Sequence, residues 1–300
     1  MQTPASGHDP VLLAETLWAL GPRQGQTVVD CTVGRAGHSL ALAERLGRTG
    51  LLIGLDVDPA NLDYARARLA AAPCRVRLFH ANFSELGDVL AEMGLDSVDA
   101  VLADLGISTN QLFDQHYGLS FSQDMPLDMR LDPRLDRTAA DIVNTWGEKD
   151  LANLLFELAQ ERNSRRIARK IIEARRVSPM TNTGRLADVV RSAARRRGGA
   201  PEKIDPATRT FLALRMAVNG ELENLQSLLG ALPARLRPGG RAAVIAFQSM
   251  EDRLVKQAFR AAQQSGLVEI LTRKPIVPGD SELSANPRSR SAKLRAIRRL

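Results

Sequence analysis

The chain is poor in the residues that usually mark catalysis by metal or thiol. Its 300 residues include two cysteines, Cys31 and Cys74, and four histidines, and aromatic residues make up 4% of the whole. The cysteines supply neither the spacing of a zinc site nor a disulfide framework, and the histidines are scattered. No metal is expected, and the thiols fit a reducing compartment. No apolar run approaches the length needed to span a bilayer. The opening "MQTPASGHDP" has neither the basic flank nor the apolar centre of a secretory signal. The chain therefore reads as cytoplasmic, with no membrane partner. It shows no internal repeat and no low-complexity tract, and nothing in it fixes an oligomeric state.

What it has is apolar bulk and positive charge. Hydrophobic residues make up 44% of the chain, enough to bury the core of one large domain or two modest ones. The formal charge is +7. A soluble protein with solvated arginines would carry as much, so location decides the reading. The stretch "ERNSRRIARKIIEARR" sets Arg162, Arg166, Arg169 and Lys170 near one face at helical spacing, and the tail "NPRSRSAKLRAIRRL" holds no acid. Charge gathered in this way suggests a surface that tracks phosphates, of RNA or of DNA.

The first third alternates short apolar strands with helical patterns. "TVVDCT", "LLIGLD", "VRLFHA" and "SVDAVLADLG" hold the strands, and helices are expected over 39–46 and 60–71, the second opened by Asp58-Pro59. This rhythm predicts a parallel sheet with helices on both faces, whose ligand sits beyond the carboxyl ends of the strands. Asp30, Asp56, Asn82 and Asp104 all fall at such ends. From about Phe113 to Asp205 no strand is expected. A long helix from about Pro206 to Leu236, the turn "RPGG", a strand "RAAVIAF" and a helix capped by Ser249 and Asp252 then follow. The division expected is 1–112 with 206–300 as one discontinuous domain, and 113–205 as a helical insertion.

The turn "VVDCTVGRAGHS" (28–39) holds Gly34 and Gly37 but lacks the third glycine of a dinucleotide fingerprint. Asp56, ending the second strand, lies where a carboxylate meets both ribose hydroxyls. A nicotinamide dinucleotide and S-adenosylmethionine share an adenosine and differ at the other end. Acids at several strand ends favour a sulfonium cation and would repel a pyrophosphate. S-adenosylmethionine is therefore the expected ligand, and a dehydrogenase is the weaker alternative.

A run of motifs then carries a resemblance. "HDPVLLAE" (8–15), "DCTVGRAGHS" (30–39), "LDVDPANL" (55–62), "LADLGISTNQL" (102–112), "LSFSQDMPLDMRLDP" (119–133), "ATRTFLALRMAVNGEL" (207–222), "FQSMEDRLVK" (247–256), "RKPIVP" (273–278) and "NPRSRSAKLRA" (286–296) follow one another. Together they resemble the RsmH (MraW) family, bacterial enzymes that methylate N4 of a cytidine in the decoding centre of 16S rRNA. The resemblance implies a class I S-adenosylmethionine-dependent methyltransferase fold, α/β, with a helical insertion that recognises substrate, and 16S rRNA of the small ribosomal subunit as partner. It implies cofactor contacts at Ala36, Gly37, His38, Asp56, Phe83, Asp104 and Gln111. Two positions depart from the family. Ala36 stands where glycine is usual, which suits a negative φ. Gln248 and Met250 stand where His and Leu are usual, which keeps open a non-catalytic RNA-binding assembly factor with a vestigial pocket.

Amino-methyltransferases often carry a D/N-P-P-Y/F segment after the fourth strand. The corresponding "ADLGIS" offers Asp104 as the candidate catalytic group, with the carbonyls of Leu105 or Gly106, but no aromatic plate. Tyr117, Phe121 and Phe247 are the candidates to stack on a flipped cytosine. Asp128 and Arg130 of "PLDMR" suit either an internal ion pair or contact with RNA. Cys31 suits apolar filling.

Overall fold

The computed structural model describes residues 10–194 and 205–300. His8, where the motif run begins, and the stretch 195–204 of the expected insertion lie outside them. The chain divides into two compact units, Met1–Gly106 with Leu222–Leu300, and Ile107–Glu221.

The first unit opens with helix α1 (Leu13–Leu20) and then alternates: β1 (Thr27–Asp30), α2 (Gly37–Leu46), β2 (Leu51–Asp56), α3 (Pro59–Arg68), β3 (Arg75–His80), α4 (Leu86–Glu92) and β4 (Val98–Asp104). The second unit carries α5 (Thr109–Phe113), α6 (Ala139–Thr145), α7 (Glu148–Ala159), α8 (Ser164–Val177), α9 (Thr183–Ala194) and α10 (Ala207–Asn219). The chain then returns to the first unit with α11 (Glu221–Arg235), β5 (Leu236–Ala246), α12 (Ser249–Gln264), β6 (Val268–Ile270), α13 (Asp280–Ala285) and β7 (Lys293–Arg299).

The seven strands form one sheet in the order β3-β2-β1-β4-β5-β7-β6. β1 to β5 run parallel, and β7 is antiparallel to both its neighbours. This is the α/β sheet of a class I methyltransferase, as expected. Successive strand residues serve opposite faces, because side chains alternate along a strand. Val28, Leu52, Ala100 and Leu102 enter the core beneath α2, while Val29, Ile53, Val101 and Ala103 enter the core against α4, α11 and α12. Both faces are buried, so these strands are almost wholly apolar. The chain order reverses between β1 and β4, and the crevice for a ligand opens there.

Local chemistry sets several boundaries. Asp58 caps α3 by accepting the Ala60 N–H, with Pro59 in the first turn. The capping pair expected at Ser249 and Asp252 lies one residue earlier. Gln248 is the N-cap of α12, and the Glu251 carboxylate accepts the backbone N–H groups of Phe247 and Gln248, each at 2.9 Å. The long helix expected over 206–236 is two helices. Gly220 takes φ 58, a left-handed value that ends α10, and α11 starts afresh. α10 consequently belongs to the second unit, where α7, α9 and α10 pack together.

The tail departs most from expectation. It is a strand inside the sheet, with Leu294, Ala296 and Ile297 fully buried. Its cations are mostly held by the protein. Arg295 donates to Asp252 at 2.6 Å, Lys293 lies 3.6 Å from the same carboxylate, Arg298 pairs with Glu269, and Arg299 donates to the Pro233 carbonyl. A phosphate-tracking tail is therefore replaced by a pinned strand. Arg290, in the 3-10 turn ahead of β7, is exposed.

The buried Arg295–Asp252 pair ties β7 to α12. Arg295→Ala leaves Asp252 with only the more distant Lys293 and is expected to destabilise the fold by about 3–5 kcal/mol in denaturant melts. Arg290→Ala is expected to leave the midpoint unchanged. Equal midpoints for the two variants would show that the tail does not hold the sheet.

Candidate cofactor and active site

The loop after β1 is built by its own acids. Asp30 is buried, and its two oxygens accept the Thr32 N–H at 3.1 Å and the Ser39 hydroxyl at 2.6 Å. Asp56 accepts the Gly34 N–H at 2.7 Å and the Asp58 N–H at 2.9 Å, so the end of β2 fastens the loop after β1. The Thr32 hydroxyl in turn accepts the Asp104 N–H at 2.7 Å, linking the loop to β4.

Gly34 and Ala36 both lie in the left-handed region, at φ 52 and φ 59. The negative φ expected at Ala36 is therefore not found. Alanine carries a Cβ that glycine lacks, and this conformation costs it about 1 kcal/mol. The strain is held from outside the loop. Arg68 of α3 donates to the Arg35 carbonyl at 2.8 Å, and the Arg35 guanidinium lies 4.4 Å from the centre of the Tyr64 ring. Neither Arg68 nor Tyr64 is distinguishable in the sequence from an ordinary exposed helical residue.

Beyond Ala36 the chain enters α2, whose first backbone N–H groups, those of Gly37 and His38 among them, have no partner within the helix. The His38 ring is buried. Its Nε2 lies 2.9 Å from the Val11 carbonyl, and its Nδ1 lies 3.6 Å from Asp104 Oδ2. The other oxygen, Asp104 Oδ1, is buried with no hydrogen-bond partner.

Burial pushes the Asp104 carboxyl up to about 6. The His38 imidazole pulls against this, and Asp30 and Glu251 add to it. Burial likewise lifts Asp56 to about 6, against the hydrogen bonds from the Asp58 and Gly34 amides, and it raises Asp30. Glu251 is the member of this group that sequence reading missed. The Gln248-to-Glu251 spacing was its signal, obscured by the more typical caps beside it. Burial also raises the Cys31 thiol, which makes it inert filling.

Ala36, Gly37, His38, Asp56 and Asp104 thus gather at the carboxyl ends of β1, β2 and β4. Phe83 follows β3 in a 3-10 turn capped by Asn82, half-buried against the core. Gln111 belongs to the second unit, where it is buried near the start of α5 and its Oε1 accepts the Ser108 N–H at 3.0 Å.

Of the candidate aromatic plates, Phe247 follows β5 and lies beside Gly106, half-buried, at the same rim as Asp104. Phe121 is engaged within the second unit. Its ring meets Phe211 edge to face at 4.8 Å and lies under Arg191. Tyr117 accepts the Met129 N–H at its carbonyl. Asp128 and Arg130 form a two-pronged ion pair, with both contacts at 2.8 Å. Among the described residues no group of three His, Cys, Asp or Glu could hold a metal, and no helix is long and apolar enough to cross a membrane.

A cationic ligand with a ribose and a free carboxylate fits this donor set. The unpartnered Asp104 oxygen and the surrounding acids favour positive charge, and the start of α2 favours an anion.

Comparison with known proteins places the chain. A family model described as the MraW methylase family matches residues 5–300. The ribosomal RNA small subunit methyltransferase H of Acidobacterium capsulatum is 48% identical over 296 residues, covering 96% of this chain and 97% of that protein. The protein of the same name from Geobacter sulfurreducens is 47% identical over 308 residues, covering 98% and 99%. That of Koribacter versatilis is 46% identical over 299 residues, covering 97% and 94%.

The raised carboxyl of Asp104 makes a prediction about the protein without its ligand. Folding favours the protonated acid. The stability this contributes is complete below the unfolded value of 3.8 and is lost as pH rises through about 6. Asp104→Asn, which does not titrate, is therefore expected to melt higher than wild type at pH 7.5, by at most about 3 kcal/mol. The difference should shrink towards pH 4.5. A difference independent of pH would show that Asp104 is not desolvated.

Proposed function

The chain belongs to the MraW methylase family, and from that premise we propose that it transfers a methyl group from S-adenosylmethionine to N4 of a specific cytidine in the decoding centre of 16S rRNA, acting in the cytoplasm on the small ribosomal subunit. The observation that carries this reading is the unpartnered, buried Asp104 oxygen beside the loop that follows β1. The name borne by the relatives, ribosomal RNA small subunit methyltransferase H, supports the choice of substrate.

In this reading Asp56 takes the ribose hydroxyls, the N–H groups of Gly37 and His38 take the carboxylate beside Ala36, and Phe83 packs on adenine. Asp104 completes the cofactor set of the first unit. The bound donor supplies a methyl group made electrophilic by its sulfonium. The amine of cytosine is a weak nucleophile because its lone pair is delocalised into the ring. What the protein must do is accept its N–H hydrogens and align its nitrogen. Holding the reactants in line lowers such a barrier by about 7–11 kcal/mol. Asp104 is the acceptor, and Phe247 is the plate that remains at the rim.

The alternative of a non-catalytic assembly factor rested on Gln248. Gln248 sits at a helix N-cap, a position that demands no imidazole, and the acids around the loop are intact. This favours the catalytic reading. Tritiated S-adenosylmethionine incubated with undermethylated small subunits is expected to label N4-methylcytidine in nuclease digests. Phe247→Ala is expected to lower turnover about tenfold or more, as stacking on a base is worth about 1–3 kcal/mol. Label in another nucleoside, or none, would overturn the assignment.

The RNA surface we assign to α8. Its apolar residues Ile167, Ala168 and Ile171 are buried, which turns the arginines outward. Arg169 is 3.6 Å from Glu148 and Lys170 is 2.6 Å from Glu173, but Arg162, Arg165, Arg166 and Arg176 are exposed with no carboxylate partner among the described residues. Replacing these four with glutamine is expected to weaken subunit binding and to flatten its logarithmic salt dependence by about 3. An unchanged slope would remove α8 from the interface.

A further inference from the structure

The reaction proposed above must dispose of a proton, since the nitrogen that gains a methyl group gives up one hydrogen. The geometry around His38 bears on where it goes. A carbonyl oxygen only accepts hydrogen bonds, so the 2.9 Å contact with Val11 fixes the hydrogen of the imidazole on Nε2. In the neutral ring Nδ1 then carries a bare lone pair, and that atom faces Asp104 Oδ2 at 3.6 Å. The opposite oxygen, Oδ1, is the buried one without a partner.

The other charged groups around this carboxyl are accounted for. Asp30 on β1 has both oxygens engaged by Thr32 and Ser39, and Glu251 on α12 has Oε2 engaged by two backbone amides. No lysine or arginine lies within ion-pair distance of Asp104 among the described residues, and His38 on α2 is its one basic neighbour. Three acids, two of them buried, with one imidazole among them form a site that gains from taking up one proton.

We propose that His38 is a positioning residue that works through Asp104, finally taking on Nδ1 the proton that this carboxylate receives from the amine. The proposal rests on the methyltransferase reading and adds a role for the imidazole. The balance is simple. The nitrogen–carbon bond forms as the carbon–sulfur bond breaks, and that bonding pair stays on sulfur. The nitrogen, now cationic, releases one N–H proton to the Asp104 carboxylate. The proton passes from the carboxyl to Nδ1, leaving an imidazolium beside a carboxylate until water removes it.

The test has two arms. In the first, nitrogen NMR of the imidazoles is recorded on the cofactor-free protein, wild type and Asp104→Asn. A neutral His38 with its hydrogen on Nε2, whose Nδ1 signal moves in Asp104→Asn, supports the proposal. A hydrogen on Nδ1, or a signal indifferent to the substitution, overturns it. In the second arm His38→Gln, which keeps a donor near the Val11 carbonyl and no basic atom near Asp104, is assayed against pH. Its kcat is expected to fall about 100-fold with KM for the donor within threefold. The acid limb of its profile is expected to move upward from about 6, because no imidazolium is left to form beside the Asp104 carboxyl and oppose its protonation. Unchanged kcat and an unmoved limb would overturn the proposal. If wild type forms no N4-methylcytidine, the substrate assignment falls by itself, and the NMR arm still decides the coupling of His38 to Asp104.

Discussion

Three strands of one sheet end in aspartates, two of them buried whole and Asp104 by one of its oxygens, and this burial is the constraint on which the site depends. An isolated carboxylate in such a place is costly unless hydrogen bonds compensate it. Asp30 and Asp56 obtain theirs from the loop after β1, through Thr32, Ser39, Gly34 and Asp58. One of these bonds fastens Gly34 in its left-handed turn, so the acids shape the loop and the loop relieves the acids. Asp104 stands apart. Its backbone is tied to the Thr32 hydroxyl while one carboxyl oxygen is left unpartnered. The sheet thus carries an unmet electrostatic demand where its chain order reverses, one that a cation would answer.

Much of this was legible before the fold was known. Apolar strands of four to seven residues ending in Asp announce a parallel sheet, and period-2 burial of Val28 against Val29, or Leu52 against Ile53, follows from it. The pairing of Asp58 with Pro59 fixes the start of α3. What escaped notice depended on partners distant in sequence. "KLRAIRR" looks like a solvated basic end until Asp252, forty-three positions earlier, appears beside Arg295. Phe121 looks like a free plate until Phe211 meets it edge to face. The break at Gly220 was of another kind, since Asn219-Gly220 is a local turn signal within an otherwise helical pattern.

The second unit shows the same economy of polar groups. Met129 is fully buried with φ 66, a strained value for a non-glycine residue. It is held on every side: its N–H donates to the Tyr117 carbonyl, its own carbonyl accepts from Asn219, and Asp128 and Arg130 close around it. Gly118 belongs to the same knot, because a side chain there would collide with the Pro126 carbonyl. Arg130 has spent both prongs of its guanidinium on Asp128. The "PLDMR" segment is therefore a brace within its unit.

The arginines divide by the same criterion. In β7, Arg295 and Arg298 sit opposite acids, which cancel their charge where it arises, and Arg299 is held by the Pro233 carbonyl. Those of α8 face outward because Ile167, Ala168 and Ile171 claim the inner face of the helix, and Arg165 and Arg166, with Arg162 just ahead of the helix, form no ion pair among the described residues. A net charge of +7 says little about where a polyanion would lie, since paired cations contribute to the sum and hardly to the field. The distribution of unpaired ones does say it. Helical periodicity decides which side chains point out, and the absence of i+3 and i+4 acids decides which stay uncompensated. Both properties are local to α8, whereas the partners of the tail lie far from it in sequence.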